Sequence, residues 1–126
     1  MKKAADLTAA LNQAIAQYQN GQIKEAEKSC KKILAAAPRN GDGLHRMGVV
    51  QIQQGRFKGA TKFWRQAILS QNDNPHYHSN LAYALQSQGD TEEGIDLYKK
   101  ALTLQPDLIE ALMNLGNALS TIGDLE

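Results

Sequence analysis

The chain has 126 residues, 42% hydrophobic and 21% charged, as in a soluble globular protein that forms one modest domain or a short array of repeats. No uninterrupted apolar stretch reaches membrane-spanning length, which excludes a transmembrane protein, and near-equal totals of 14 basic and 13 acidic residues do not favour nucleic-acid binding. The single cysteine, Cys30, excludes a disulfide framework and a four-ligand zinc site, so we expect a reducing, cytoplasmic location without metal or cofactor.

A period of 34 residues runs through the whole sequence. Gly21, Gly55, Gly89 and Gly123 define one column of this repeat. Further columns at the same spacing hold small or aromatic residues: Ala14, Gly48, Ala82 and Gly116; Ala26, Ala60 and Gly94; Cys30, Trp64 and Tyr98. Several independent columns at one period indicate a repeat architecture.

Each repeat unit is predicted to form two helices. The first unit predicts helices over 7–20 and 23–37, and the second over 42–54 and 57–71. A last helix is predicted over 109–122. Together with the third unit, the pattern gives seven helices and no strand.

The third unit carries the clearest helix start and stop signals. Asn74 precedes Pro75, the pattern of an N-cap before a proline in the first helical turn. Gly89 is expected to end that helix, and Thr91 to cap a second helix that Pro106 ends.

This unit, PHYHSNLAYALQSQGDTEEGIDLYKKALTLQPDL, resembles the tetratricopeptide repeat in the order of its small, glycine, aromatic, alanine and proline positions. The resemblance implies an all-α solenoid of antiparallel helix pairs, wound as a right-handed superhelix. One array then covers residues 1–126, with repeats at about 7–40, 41–74 and 75–108 and a partial repeat at 109–126. Because the last unit has only one predicted helix, we expect the sequence to be a truncated chain and not to end at a natural terminus.

The sixth position of each unit points away from the packing positions, because successive helix residues turn by about 100°. It carries Asn12, Arg46, Asn80 and Asn114. An Asn amide can pair with both hydrogen-bonding groups of a peptide backbone without reading its side chains. The repeats also resemble those of O-linked N-acetylglucosamine transferases, whose superhelices are known for such an asparagine ladder. An extended peptide on the inner, concave face is therefore expected, and a solvated polar stripe is the alternative.

Apolar residues accompany this row towards the N-terminus. The ninth positions are Ile15, Val49, Tyr83 and Asn117, and neighbouring sites add Leu11, Tyr18 and Ile52. An apolar patch on a face that need not pack usually marks an interaction surface. Contact with a preceding helix is the alternative.

The charged residues limit which partners are expected. The carboxylate clamp known in the family is not expected, because Arg46 is the only cation in the row and Asp42 and Glu110 would repel a carboxylate. The second helices and turns carry a basic outer face that is either solvated or docks an acidic partner; its residues are Lys24, Lys28, Lys31, Lys32, Arg56, Lys58, Lys62 and Arg65. RNA binding is a weaker third alternative, because no aromatic platform is interleaved with these lysines. Residues 1–72 have a net charge of +8 and residues 73–126 of −7, which permits head-to-tail or domain-end self-association.

No catalytic constellation is recognisable in the sequence. His45, His76 and His78 lack a matched ligand set, and we expect His78 to pack between helices, His76 to lie at the surface and Cys30 to lie in the core. The sequence therefore predicts a protein-interaction scaffold without catalysis of its own. The alternative is the N-terminal docking arm of a larger enzyme, such as a protein glycosyltransferase.

Overall fold

The computed structural model describes the backbone of residues 2–125 and the side chains of residues 6–123. Within this range the chain forms seven α-helices and no strand, as the sequence predicts. The helices are α1 (Lys2–Gln19), α2 (Ile23–Ala36), α3 (Gly41–Gln53), α4 (Phe57–Ser70), α5 (Pro75–Ser87), α6 (Thr91–Leu104) and α7 (Ile109–Leu125). None of the helices in the described chain is long and apolar enough to cross a membrane. The side chains of Lys2, Lys3, Asp124 and Glu126, which enter the charge balance of the two halves, lie outside the described range.

The repeating glycines end the first helix of three successive units. Gly21, Gly55 and Gly89 have φ angles of 79°, 73° and 94°, in the left-handed region that favours glycine. The residue after each glycine donates its backbone N–H to a carbonyl five residues earlier, at 2.8–2.9 Å. This is the Schellman arrangement, which satisfies carbonyls at a helix end. Gly123, in the same column, lies inside α7, so the prediction that this helix ends at 122 is wrong.

The predicted helix starts are correct at α5 and wrong at α6. The Asn74 Oδ1 accepts a hydrogen bond from the His76 N–H at 2.9 Å, and Pro75 occupies the first turn. In α6, Thr91 is already helical and the N-cap residue is Asp90, whose side chain makes no capping bond. Thr91 therefore does not cap this helix. The first helix also begins earlier than predicted, at Lys2.

Small residues bring the two helices of a unit together, as their column predicts. A Cβ added at Gly48 would lie 2.6 Å from the Trp64 ring, so α3 and α4 meet at a position where only glycine fits. In the third unit, a Cβ at Gly94 would lie 3.1 Å from the Ala82 carbonyl oxygen. Nothing lies within 4 Å of the same point on Gly116, where no second helix of the described chain covers α7.

The helices stack in chain order, each packing against the next, and the first helices of neighbouring units also touch where α1 meets α3 and α5 meets α7. The core is a series of apolar clusters that span neighbouring units; Trp64, for example, packs with Leu81 and Leu85. This arrangement is a helical-repeat solenoid, and it sets the exposed faces of α1, α3, α5 and α7 side by side.

Candidate functional site

A depression of about 250 Å³ lies on the first helices, mainly on α3, α5 and α7. Its lining combines apolar side chains, aromatic rings and amides. The lining residues are Tyr18, Val49, Ile52, Gln53, Trp64, Ser79, Asn80, Tyr83, Glu110 and Asn114. Five of the nine residues singled out in the sequence therefore share one depression: Val49, Ile52, Asn80, Tyr83 and Asn114.

Asn80 and Asn114 give the depression two free amides. Both side chains are half-buried, and neither makes a hydrogen bond to another described residue. A partly desolvated amide that has no protein partner retains its donor and acceptor for a ligand. The sequence predicts these side chains as exposed, whereas the walls of the depression cover part of each.

The floor of the depression belongs to the core. Val49 and Ile52 are half-buried and pack against the cluster that contains Trp64 and Leu81. Tyr83 is exposed and adds an aromatic ring at the surface. Apolar groups held in place by the core form a rigid surface for a ligand side chain.

The remaining four candidates do not line this depression. Asn12 and Asn117 are exposed, while Ile15 and Arg46 are half-buried. The row at the sixth position therefore contributes two of its four members to the depression. The reason is that the depression lies mainly on α3, α5 and α7, and α1 contributes only Tyr18 to its lining.

Three lining residues were missed by the sequence reasoning: Gln53, Ser79 and Trp64. The Gln53 Nε2 donates to the Tyr18 hydroxyl at 2.9 Å, which ties α3 to α1 beside the depression. Trp64 belongs to a second helix, and its ring lies against Gly48, where no side chain intervenes. The small residue at position 48 is the signal that could have indicated that Trp64 reaches the lining.

Glu110 is the one charged residue of the lining. Its Oε1 lies 3.2 Å from the His76 Nδ1, an exposed contact between neighbouring units. His76 is at the surface, as expected. Within residues 6–123 no cation lines the depression, and Arg46 lies outside it, so the charge of the lining opposes an acidic group.

The rings of Trp64, His45 and Tyr77 form an aromatic cluster that includes one lining residue of the depression, Trp64. The Trp64 Nε1 donates to the His45 Nδ1 at 3.0 Å, and the His45 ring is 5.3 Å from that of Tyr77. Burial, with a further contribution from the Arg46 charge, lowers the pKa of His45 to about 4. His45 is therefore neutral at pH 7 and serves as an acceptor. The sequence did not reveal this role.

The other nucleophilic or metal-ligating side chains are structural. Cys30 is fully buried, and burial raises the pKa of its thiol to about 11. The His78 Nε2 lies 2.8 Å from the Asn72 carbonyl oxygen, and its Nδ1 is buried without a partner. Both residues pack between helices, as expected. Among the described residues no group of three His, Cys, Asp or Glu side chains could hold a metal ion.

The basic outer face is partly neutralised by ion pairs between units. The Arg56 Nη1 lies 3.1 Å from the Glu27 Oε2, and the Arg65 Nη2 lies 3.0 Å from the Glu93 Oε2. Lys31 lies 3.9 Å from the same Glu27 oxygen. The basic side chain of each pair is exposed, so each of the two pairs between units stabilises the stack by about 1 kcal/mol at most, whereas the Lys31–Glu27 pair lies within α2.

A family model described as tetratricopeptide repeat matches residues 17–82, and another described as TPR repeat matches residues 84–123. The chain belongs to the tetratricopeptide-repeat family. Among solved structures it is similar to the O-GlcNAc transferase of Thermobaculum terrenum, with 31% identity and a TM-score of 0.91 over 94% of this chain. The chain spans 23% of that transferase chain.

Other tetratricopeptide-repeat structures share the fold at lower identity. The second TPR domain of human RPAP3, in complex with an HSP70 peptide, has 16% identity and a TM-score of 0.86; the match covers 92% of this chain and 97% of that one. The Yersinia enterocolitica chaperone SycD, in complex with a YopD peptide, has 17% identity and a TM-score of 0.84, covering 94% and 93%. No curated protein sequence matches this chain significantly.

Proposed function

We propose that this tetratricopeptide-repeat array is a protein-interaction scaffold that binds an extended peptide along its first helices, with Asn80 and Asn114 pairing to the peptide backbone. The observation that carries the proposal is the pair of unpaired amides in one depression with an apolar floor. Asn12 and Arg46 continue the row at the same repeat position, and Ile15 and Asn117 flank it.

The spacing of the first helices suits an extended chain. Packed helices lie about 9 Å apart, and an extended peptide advances about 3.3 Å per residue. Successive asparagines would therefore meet the backbone about every third residue. The intervening side chains would reach Val49, Ile52 and Tyr83, while the two amides hold the backbone whatever its sequence.

The charge of the lining favours a neutral or basic peptide. Glu110 would repel an acidic residue beside Asn114, and none of the described residues that line the depression is a cation that could offset it. We therefore expect acidic C-terminal peptides, such as the HSP70 peptide bound by RPAP3, to bind this chain poorly.

The test begins with peptides selected from a displayed library of unstructured 12-residue sequences. Selected peptides are titrated calorimetrically against the unaltered chain and the Asn80→Ala/Asn114→Ala variant. Each lost hydrogen bond costs about 0.5–1.5 kcal/mol, so losing several should weaken binding by roughly ten-fold or more. Thermal stability should change little, because neither amide has a bond within the described protein.

The matched control is Asn20→Ala/Asn72→Ala, which removes two exposed amides outside the depression. It should leave affinity unchanged. Equal affinities for both double variants would contradict the proposal and direct attention to the outer face, where Lys28 and Lys62 are the first residues to reverse.

A second candidate is the docking arm of a larger enzyme. Similarity to the Thermobaculum terrenum O-GlcNAc transferase at 31% identity over 94% of this chain favours it. The proposed peptide site would then present a substrate protein to a catalytic domain, and residues 1–126 would carry no catalytic step themselves. The sequence of the complete gene distinguishes the two candidates: a transferase domain downstream of residue 126 supports the docking arm, and its absence supports the scaffold.

A further inference from the structure

A groove of about 670 Å³ lies where the first unit meets the second. The turn over 37–40, between α2 and α3, forms one wall, and the last turns of α4 form the other. The lining residues of this outer groove are Pro38, Arg39, Leu44, Gln66, Leu69 and Ser70. The Ser70 hydroxyl donates to the Arg39 carbonyl oxygen at 2.7 Å, which holds the turn against α4. None of these residues lines the depression on the first helices, so the outer groove is a second surface.

Leu69 lies at this groove and is almost fully exposed. Its exposed fraction is 87%, more than that of any other large hydrophobic residue in the described chain. Its helix is internal, because α4 packs against both α3 and α5. Ala35 and Thr103, at the same repeat position in α2 and α6, are also exposed. The position therefore faces solvent in each complete unit, and Leu69 is not a core residue whose covering helix is missing.

The groove has an apolar wall behind Leu69. Leu44 is 2% exposed, packs in a core cluster with Ala67 and Tyr77, and lines the groove together with Pro38. An isolated leucine on a surface is ordinary, whereas a leucine beside a groove with a rigid apolar wall can hold the side chain of a partner. The volume of the groove lies within the range of about 300–1,000 Å³ that ligand sites occupy.

Arg39 makes the same groove basic. Its side chain is exposed, and its guanidinium has no hydrogen bond or ion pair with any described residue. Lys62 precedes Gln66 by about one turn of α4, roughly 6 Å along the helix, and is likewise exposed and unpaired among the described residues. No acidic residue of the described chain lines the groove. The groove therefore attracts an anionic group.

The repeat fold requires neither Arg39 nor Leu69. At the next junction between units, Asp73 stands in place of Arg39 and Thr103 in place of Leu69. Both junctions stack in the same way, with α2 against α3 at the first and α4 against α5 at the second. Helix packing therefore does not explain why a cation and a large apolar side chain occur together at the first junction.

We infer that the outer groove binds an acidic segment of a partner protein that carries one large apolar side chain. That side chain lies against Leu69 and Leu44, and a flanking carboxylate pairs with Arg39, whose guanidinium can hold both carboxylate oxygens. A second carboxylate reaches Lys62. The lining favours a protein over a nucleic acid, because none of the described residues that form it is aromatic and could stack on a base.

NMR titration of the isotope-labelled chain tests this site with synthetic peptides that are blocked at both ends. The probe has six glutamates around one central leucine, and the matched peptides replace the leucine by serine or the glutamates by lysine. The probe should cause saturable shifts in the amide signals of Arg39, Gln66, Leu69 and Ser70. The serine peptide should bind about ten-fold more weakly, because it has no apolar side chain to bury. The lysine peptide should leave these signals unchanged.

Two results with these peptides would overturn the proposal. One is the absence of saturable shifts at the groove up to about 1 mM probe, the range of a very weak complex. The other is equal affinity for the leucine and serine peptides, because the groove would then attract charge without recognising an apolar side chain.

Two substitutions and two controls locate the contact. Arg39→Glu should raise the Kd of the probe at least roughly ten-fold, whereas Lys100→Glu, the same charge change at an exposed residue of α6 outside the groove, should leave it nearly unchanged. Leu69→Ser should abolish the preference for the leucine peptide, and Leu69→Met, which keeps an apolar side chain of similar size, should retain it. Equal effects of the two charge reversals, or a preference that survives Leu69→Ser, would contradict the proposal.

The same spectra verify the fold of each variant and distinguish other occupants. Groove signals that shift with protein concentration alone, and return in about 1 M salt, would mean that the acidic half of a second copy binds there. Tighter binding of a uridine oligonucleotide than of the probe would mean a nucleic-acid surface. Either result would overturn the proposal.

The outer groove and the depression on the first helices are tested independently. The Asn80→Ala/Asn114→Ala variant should bind the glutamate–leucine probe with unchanged affinity, because neither asparagine lines the groove. Probe-induced shifts confined to the depression would overturn the assignment to the groove. Loss of peptide binding at the depression would leave it unaffected.

Discussion

The same substitution at two equivalent repeat positions should change stability in opposite directions. Gly48 and Gly116 are the eighth residues of the second and fourth units, 68 residues apart. A Cβ at Gly48 would lie 2.6–2.9 Å from three atoms of the Trp64 ring, which is 2% exposed and has little room to move. At Gly116 a Cβ would meet nothing within 4 Å.

The magnitudes come from two opposing effects. Replacing a helical glycine by alanine stabilises the helix by about 1 kcal/mol. Overpacking a buried site costs about 1–3 kcal/mol, and a contact with the middle of an indole ring belongs at the upper end. We therefore expect Gly48→Ala to lose about 2 kcal/mol and Gly116→Ala to gain about 1 kcal/mol, with Tm changes near −8 °C and +4 °C.

Thermal melting followed by circular dichroism measures both changes. Trp64→Leu in the Gly48→Ala background removes the clashing ring atoms. The two substitutions should therefore couple favourably by more than about 1 kcal/mol in a double-mutant cycle. A Gly48→Ala protein as stable as the unaltered chain, or additive effects in the cycle, would refute the close approach of α3 and α4 at this residue.

Three further predictions concern a histidine, a cap and the thiol. The pKa of His45 falls from 6.5 to about 4 on folding, so between these values the unfolded chain binds one more proton than the folded chain. The free energy of unfolding should therefore drop by up to about 3 kcal/mol between pH 7 and pH 4. Urea titrations should show a shallower pH dependence for His45→Asn, whose amide oxygen can replace Nδ1 as acceptor for Trp64. Asn74→Ala should cost about 1 kcal/mol in the same titrations, because the His76 N–H loses its capping acceptor, and an unchanged midpoint would argue against this cap. Cys30 should react with a thiol reagent only as the chain unfolds, because it is buried and its pKa is raised to about 11, whereas rapid labelling of the native protein at pH 8 would contradict its burial.

Local sequence signals fixed most of the secondary structure, because helix ends depend on nearby residues. The predicted first helices of the first three units end next to Gly21, Gly55 and Gly89, and all three glycines adopt positive φ. Asn74 and Pro75 were assigned to a helix start and are found there. Gly123 and Thr91 were assigned by the same reasoning and behave differently, because Gly123 continues α7 and Asp90 occupies the capping position of α6.

The sequence by itself determined the 34-residue repeat, the seven helices and the small residues at which paired helices meet, since each depends on periodicity or on side-chain size. Only the tertiary structure decided which candidate residues share a depression. Asn80 and Asn114 line it whereas Asn12 does not, and Trp64 reaches it from a second helix past Gly48. The physical reason is that distances between units depend on how helices pack across the array, and a period along the chain does not specify that packing.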